Sequence, residues 1–152
     1  MKKVTFLAVI CMLFAKILWA QSDEENAIKQ SVNNLFIGMR TGDSTLASSA
    51  LAKESILQTI ISKYGKNIVK TESVSGFLKM IGTPRNQKYD ERIVFSKILI
   101  DGPLASVWTD YKFFIDEKLN HCGVNSFQMV KGDKGWQIIY IIDTRRKENC
   151  KP

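Results

Sequence analysis

The sequence predicts an α+β domain in which helices come first and a long antiparallel sheet follows and packs on one of them. Two patterns carry this. Apolar side chains recur at Ile28, Val32, Leu35, Phe36 and Met39, the spacing of a single buried helix face. From Asp90 onward, four runs rich in strand-forming residues, "DERIVFSKILIDG", "PLASVWTDYKFFID", "HCGVNSFQMVKG" and "GWQIIYIIDTRR", follow one another with only short turn signals between them. That arrangement implies an antiparallel meander. The sheet must bury one face, and the helix stripe is the surface available to cover it.

Taken in order, Ser22-Asp23-Glu24-Glu25 reads as a capping box for the first helix, Ser22 accepting from the backbone and Glu25 reaching back. Gly42 ends that helix, and Asp43 or Ser44 caps a shorter one through about Ala52. Residues 56–64 are rich in β-branched and apolar types and bounded by Gly65, which predicts a strand, with a short second strand near residues 67–70. Ser73 or Ser75 then opens a helix through Phe77, Leu78, Met80 and Ile81, stopped by Gly82 and Pro84. The meander completes the chain. Some of its strands are apolar on both faces, at Val107, Trp108, Phe113, Phe114 and Ile115 and again over residues 138–142. An apolar surface of that extent predicts cover by a second subunit, hence a homodimer through the sheet.

The N-terminal segment has a different character. Lys2 and Lys3 precede an apolar run over residues 4–15, and small Ala20 stands before a polar, acidic stretch, the layout of a secretory signal peptide. Lys16 interrupts the run short of the ~20 residues a spanning helix needs. Cys11 lies inside the run rather than at its end, which argues against a lipid anchor. These features predict a leader over residues 1–20, a single domain over residues 21–152, no stable membrane anchor, and a periplasmic or secreted location.

Removing the leader takes away Lys2, Lys3 and Lys16 and no acid, so the formal charge falls from +7 to +4. The excess is scattered among carboxylates, apart from Arg145, Arg146 and Lys147, and offers no basic face able to neutralise several phosphates. Nucleic acid is therefore not an expected partner. Cys122 and Cys150 remain, and an even pair in an oxidising compartment predicts a bridge. Such a bridge would stabilise the fold by ~3.5 kcal/mol on the chain-entropy model.

The order of elements, together with "DGPLASVWTDYKFF", "HCGVNSFQMVKGDKGWQIIYIIDTRR" and the early helix ending in "GMRTGD", resembles the nuclear transport factor 2-like superfamily. Within it the chain looks most like small exported bacterial proteins described as lumazine-binding or SnoaL-like. The resemblance covers nearly all of residues 23–146 and is most specific from Trp108 to Arg146. It implies a cone-shaped fold, in which a strongly bent antiparallel sheet wraps around the N-terminal helices and encloses an apolar pocket. It also implies dimerisation through the sheet in many members. The superfamily holds ketosteroid isomerases, dehydratases and polyketide cyclases alongside non-catalytic binding domains, so fold alone does not decide function.

Strand parity gives a candidate site. Pairing Val130 with Trp136 across "KGDKG" sets Phe127 opposite Ile139, Asn125 opposite Ile141, Gly123 opposite Asp143 and His121 opposite Arg145. Alternation then puts His121, Asn125, Phe127, Met129, Ile139, Ile141, Asp143 and Arg145 on one face, apolar towards the turn and polar at the far end, as a pocket with a polar mouth requires. Trp108, Tyr111, Phe113, Phe127 and Trp136 could line that pocket and stack a flat heterocycle, or else are ordinary core. Arg145 is suited to anchor a carboxylate or phosphate, or else pairs only with Asp143.

His121, the chain's one histidine, has two readings: an acid, base or orienting donor, or a hydrogen-bonded residue closing a turn beside a disulfide. Catalysis of the isomerase or dehydratase type would need a carboxylate base and a donor for the developing oxyanion. Asp110 or Asp143 would be that base, and Tyr111, Tyr140 or His121 the donor. A phosphate-binding glycine loop, a dinucleotide fingerprint and a hydrolase elbow are absent from the sequence, and one histidine without cysteine spacing supplies no zinc site. No cofactor and no metal are expected. The reading that results is an exported, non-catalytic protein binding a small organic molecule, with the enzyme as the alternative and a sheet face used for assembly as a third possibility.

Overall fold

The computed structural model describes the backbone of residues 2–150 and the side chains of residues 22–150. The leader expected over residues 1–20 lies outside the described side chains. Helix α1 (Lys2–Thr41) buries Ile28, Val32, Leu35, Phe36 and Met39, the stripe that its spacing predicts. It runs through Ser22 without interruption, so the expected capping box does not form: backbone donors there already have partners one turn earlier. Glu24 turns to the sheet instead, accepting from Trp136 Nε1 at 2.7 Å and pairing with Lys131 Nζ at 2.5 Å. Gly42, at φ +75°, ends α1 in the left-handed conformation that glycine adopts without strain. Asp43 then caps α2 (Ser44–Ser49), its Oδ1 accepting from Leu46 N at 2.9 Å.

Strands β1 (Leu51–Lys63) and β2 (Lys66–Glu72) form a hairpin, and α3 (Val74–Gly82) follows behind Ser73, whose Oγ accepts from Gly76 N at 3.1 Å. The predicted meander is β3 (Tyr89–Asp101), β4 (Leu104–Ile115), β5 (Lys118–Gly132) and β6 (Gly135–Arg146), paired antiparallel in chain order. The sheet does not stop there. β1 adds to β6 in parallel, giving one open six-stranded sheet in the order β2-β1-β6-β5-β4-β3. The expected antiparallel sheet is thus mixed. The β1–β6 joint is separated in sequence by the whole meander, so no tight turn dictates its direction.

Bulges bend this sheet. Register shifts fall between Phe95 and Lys97 in β3, between Phe113 and Phe114 of β4 as it pairs with β5, and between Gln128 and Met129 of β5 as it pairs with β6. A wider break in β1, between Leu51 and Ile56, is bridged by Ser55 Oγ, which donates to Ile138 O at 2.7 Å. The inward face carries Ala105, Val107, Phe127, Met129, Trp136 and Ile138 into one core with the α1 stripe. Phe36 meets Phe127 edge-on at 6.2 Å at its centre.

The β5–β6 register corrects the sequence-based pairing in an informative way. Val130 pairs with Gln137 rather than Trp136, and Asn125 with Asp143 rather than Ile141. The offset is one residue near the turn and two beyond Gln128, because β6 holds one extra residue, Ile139. A shift of two restores parity. Asn125, Phe127, Ile141, Asp143 and Arg145 therefore do share the inner face. Ile139, expected inside, points out at 37 % exposure, and Ile138 occupies the core in its place.

Candidate functional site

Between α1, α3 and the inner sheet face lies a cavity of about 400 Å³. Leu35, Phe36 and Met39 of α1 and Phe77 and Met80 of α3 supply its apolar side. The sheet supplies its polar end, where Tyr111, His121, Asn125, Asp143 and Arg145 converge with Glu91 and Thr59. The apolar stripe of α1 thus serves two ends. It fills the core towards Phe127 and leaves space towards β3.

Gly123 makes the polar end possible. It pairs with Tyr111 on one side and Arg145 on the other, so any side chain there would stand on the inner face between them. A Cβ would overlap the carbonyl of Thr144 and come within 2.7 Å of Tyr111 Cε1. The Tyr111 ring lies across that vacant position, and its hydroxyl donates towards Thr144 O at 2.9 Å and Asp143 Oδ2 at 3.1 Å. Asp143 also accepts from Thr59 Oγ1 at 2.5 Å and Arg145 Nε at 3.1 Å, while Arg145 Nη2 donates to Thr59 Oγ1 at 3.1 Å. The guanidinium expected to anchor a ligand is therefore matched by a carboxylate of the protein.

Glu91 is the residue that sequence reasoning missed. It sits on β3 directly across from Phe113, and its Oε1 accepts from Asn125 Nδ2 at 2.8 Å. It is half-buried and lines the cavity. Burial raises its pKa from 4.5 to about 7, against the opposing effect of the Asn125 hydrogen bond, with Asp143 adding to the rise. At neutral pH it is poised between acid and carboxylate. Its signal in the sequence was parity: Glu91, Ile93 and Phe95 alternate on one face, and the two apolar members pack on the core.

His121 reaches the rim of the same cavity. Its ring lies 4.9 Å from Phe113 and 5.7 Å from Tyr111, and Nδ1 is 2.8 Å from Asn120 Oδ1. Burial first, then Arg145, lowers its pKa below 6.5, so at neutral pH the ring is uncharged. Tyr111 is pushed well above the usual phenol range by burial and by Asp143, and remains protonated as a donor.

Three expected site residues lie elsewhere. Trp108 is on the outer sheet face at 47 % exposure, because a residue three positions from Tyr111 in the same strand points the opposite way. Asp110 is outside for the same reason, accepting from Ser96 Oγ at 2.6 Å, and so cannot be a base in the cavity. Phe127 faces inward but is fully buried in the core beneath the cavity rather than lining it. Cys122 points away from the cavity, opposite its neighbour His121, and is bridged to Cys150 with the Cα atoms 5.7 Å apart. The bridge ties the segment after β6 to the outer side of β5.

No protein-family model and no curated protein matches the sequence. Solved structures do match in shape. One is a nuclear transport factor 2-like protein of unknown function from Shewanella baltica, 16 % identical, with a TM-score of 0.64 over 82 % of this chain and 95 % of that one. Another, from Novosphingobium aromaticivorans, is a nuclear transport factor 2-like protein with a cystatin-like fold, 9 % identical, with a TM-score of 0.66 over 90 % of each chain. A conserved protein from Planctomyces limnophilus is 16 % identical, with a TM-score of 0.66 over 82 % of this chain and 98 % of that one. At these identities the likeness establishes the fold. This chain has the nuclear transport factor 2-like, cystatin-like α+β architecture that its element order predicts.

Proposed function

We propose that this protein is an exported binding protein for a small organic molecule, held with its apolar part between α1 and α3 and its polar part against Glu91, Asn125 and Tyr111. The observation that carries this reading is the cavity itself: apolar walls on one side, convergent polar groups on the other, and a volume within the range of ligand pockets. The disulfide is compatible with an oxidising compartment. On the outer sheet face, Val94, Leu99, Leu104 and Trp108 are exposed by 64, 56, 48 and 47 %, and they support a homodimer through that face. The test is native mass spectrometry of protein purified gently from its own host. A retained small-molecule mass on the folded protein supports the reading, and a chain that remains empty there and takes up no apolar probe in titration removes it.

Glu91 gives specific support to a second reading, an isomerase- or dehydratase-type enzyme. A carboxyl group with a pKa of about 7 inside a cavity is suited to take a proton from carbon and return it. Tyr111, held protonated, would donate to the developing oxyanion by turning its one hydroxyl proton from Thr144 O and Asp143. The base in this version is Glu91 and not Asp110. Glu91→Gln should then abolish turnover while substrate still binds; turnover that survives the change refutes the assignment.

A further inference from the structure

The charges around the cavity are not balanced. Glu72, Glu91 and Asp143 line it, and among the described residues that line it Arg145 is the one guanidinium or ammonium. Arg145 is matched by Asp143 at 3.1 Å, and both also bind Thr59. His121 adds no positive charge at neutral pH. Arg85 lies behind the wall with its guanidinium over the Tyr89 ring, 4.4 Å from the centroid, but it is engaged by the carbonyls of Met39, Met80 and Ile81. Among the described residues Glu91 thus forms no ion pair: the amide of Asn125 donates to it, and Arg145 acts on it only through space. Around it stand aromatic rings: Phe113 opposite on β4, Tyr89 two residues back on its own strand, and Tyr111 two residues from Phe113.

A carboxylate set among aromatic faces has the chemistry of an organic-cation site, since ring quadrupoles and the carboxylate both attract positive charge, and more strongly where water is excluded. We propose that the cavity selects an organic cation, an amine or protonated nitrogen heterocycle on an apolar frame, with its charge at Glu91 and its frame between α1 and α3. This rests on the binding reading above and names its ligand class. It replaces the carboxylate ligand that Arg145 led the sequence to expect. An anionic ligand would meet Glu72 and Glu91 with only an already paired guanidinium to receive it.

A consequence is a proton. The empty cavity holds Glu91 partly protonated near pH 7, and a bound cation favours its carboxylate form, so binding drives the proton off. The titratable and charged groups that line the cavity with Glu91 are Tyr89 on β3, Tyr111 on β4, His121 on β5, Asp143 and Arg145 on β6, and Glu72 at the end of β2. Among them Asp143 opposes ionisation and Arg145 assists it.

The experiment is calorimetric titration of the purified protein with three probes of one shape: naphthylmethylamine, naphthylmethanol and naphthoate. The amine should bind about tenfold or more tightly than the alcohol, and naphthoate weakest. Near pH 7, amine binding measured in phosphate and in Tris should report release of roughly half a proton, with none for the alcohol. Glu91→Gln, checked for folding by its melting transition, should bring amine and alcohol together. The proton release needs no variant, so it still decides the matter if that variant fails to fold. Equal binding of amine and alcohol, or tightest binding of naphthoate, overturns the cation proposal while the alcohol's binding leaves the pocket reading standing. Failure of all three to bind overturns both.

Discussion

Replacing Glu91 by Gln should stabilise the protein at alkaline pH and leave it nearly unchanged in acid. Gln has the shape of the protonated acid and keeps an oxygen for Asn125 Nδ2, so at about pH 4.5 the two proteins should agree within ~1 kcal/mol. Between the ordinary carboxyl pKa of 4.5 and the value of about 7 in the fold, the native state holds a proton that the unfolded chain has released. Stability therefore falls as pH rises through that window and levels off above it. A rise from 4.5 to about 7 corresponds to ~3 kcal/mol, and solvent reaching the cavity screens this to about 2–3 kcal/mol. At roughly 2–4 °C per kcal/mol, Glu91→Gln should melt about 4–12 °C above the unaltered protein near pH 8.5. The assay is paired urea unfolding and thermal melting from about pH 4.5 to 8.5, using the difference between the proteins so that other titrations largely cancel. A difference that stays constant with pH would refute the placement of an ionisable Glu91 in a low-dielectric site.

Other outcomes follow from the same geometry. Gly123→Ala should cost at least ~3 kcal/mol or prevent folding, since its Cβ overlaps the Thr144 carbonyl, and a variant with unaltered urea unfolding would contradict the close approach. Replacing Cys122 and Cys150 together by Ser should cost ~3.5 kcal/mol of stability to urea, with no loss expected if the bridge were absent from the purified protein. His121 should titrate by NMR below 6.5, and Arg145→Met should raise its pKa only in part because burial is the larger cause; a full return to 6.5 would reverse that order. Trp108→Glu, placed on the outer face, should split the proposed dimer in sedimentation while leaving probe binding in the cavity intact.

The fold was legible because its signals are local. The α1 stripe, the caps at Asp43 and Ser73 and the short turns of the meander each need only neighbouring residues to be read. The parallel joint between β1 and β6 was not, since it depends on which edge of a finished sheet remains free. The site divides along the same line. Tyr111, His121, Asn125, Asp143 and Arg145 meet because alternation along β4, β5 and β6 sends them to one side. The same alternation sends Trp108 and Asp110 to the other side. Glu91 escaped notice because "DERIVF" carries charges like a solvated edge strand, and its burial arises only when α1 and β5 close over that strand.

Ile139 has a further meaning for how this sheet works. On the turn side of it, Trp136 and Ile138 face the core; beyond it, Ile141, Asp143 and Arg145 do. The strand changes phase there, from even-numbered to odd-numbered residues inside. Removing Ile139, or its outward neighbour Tyr140, would leave a strand of unbroken alternation with each remaining side chain on its present side, whereas removing any other interior residue of β6 would turn part of the strand inside out. Sorting and curling are thus separable in this chain. A protein without Ile139 would keep its list of cavity groups and lose a bend, and the volume left between sheet and helix would report how much of the cavity is made by curvature alone.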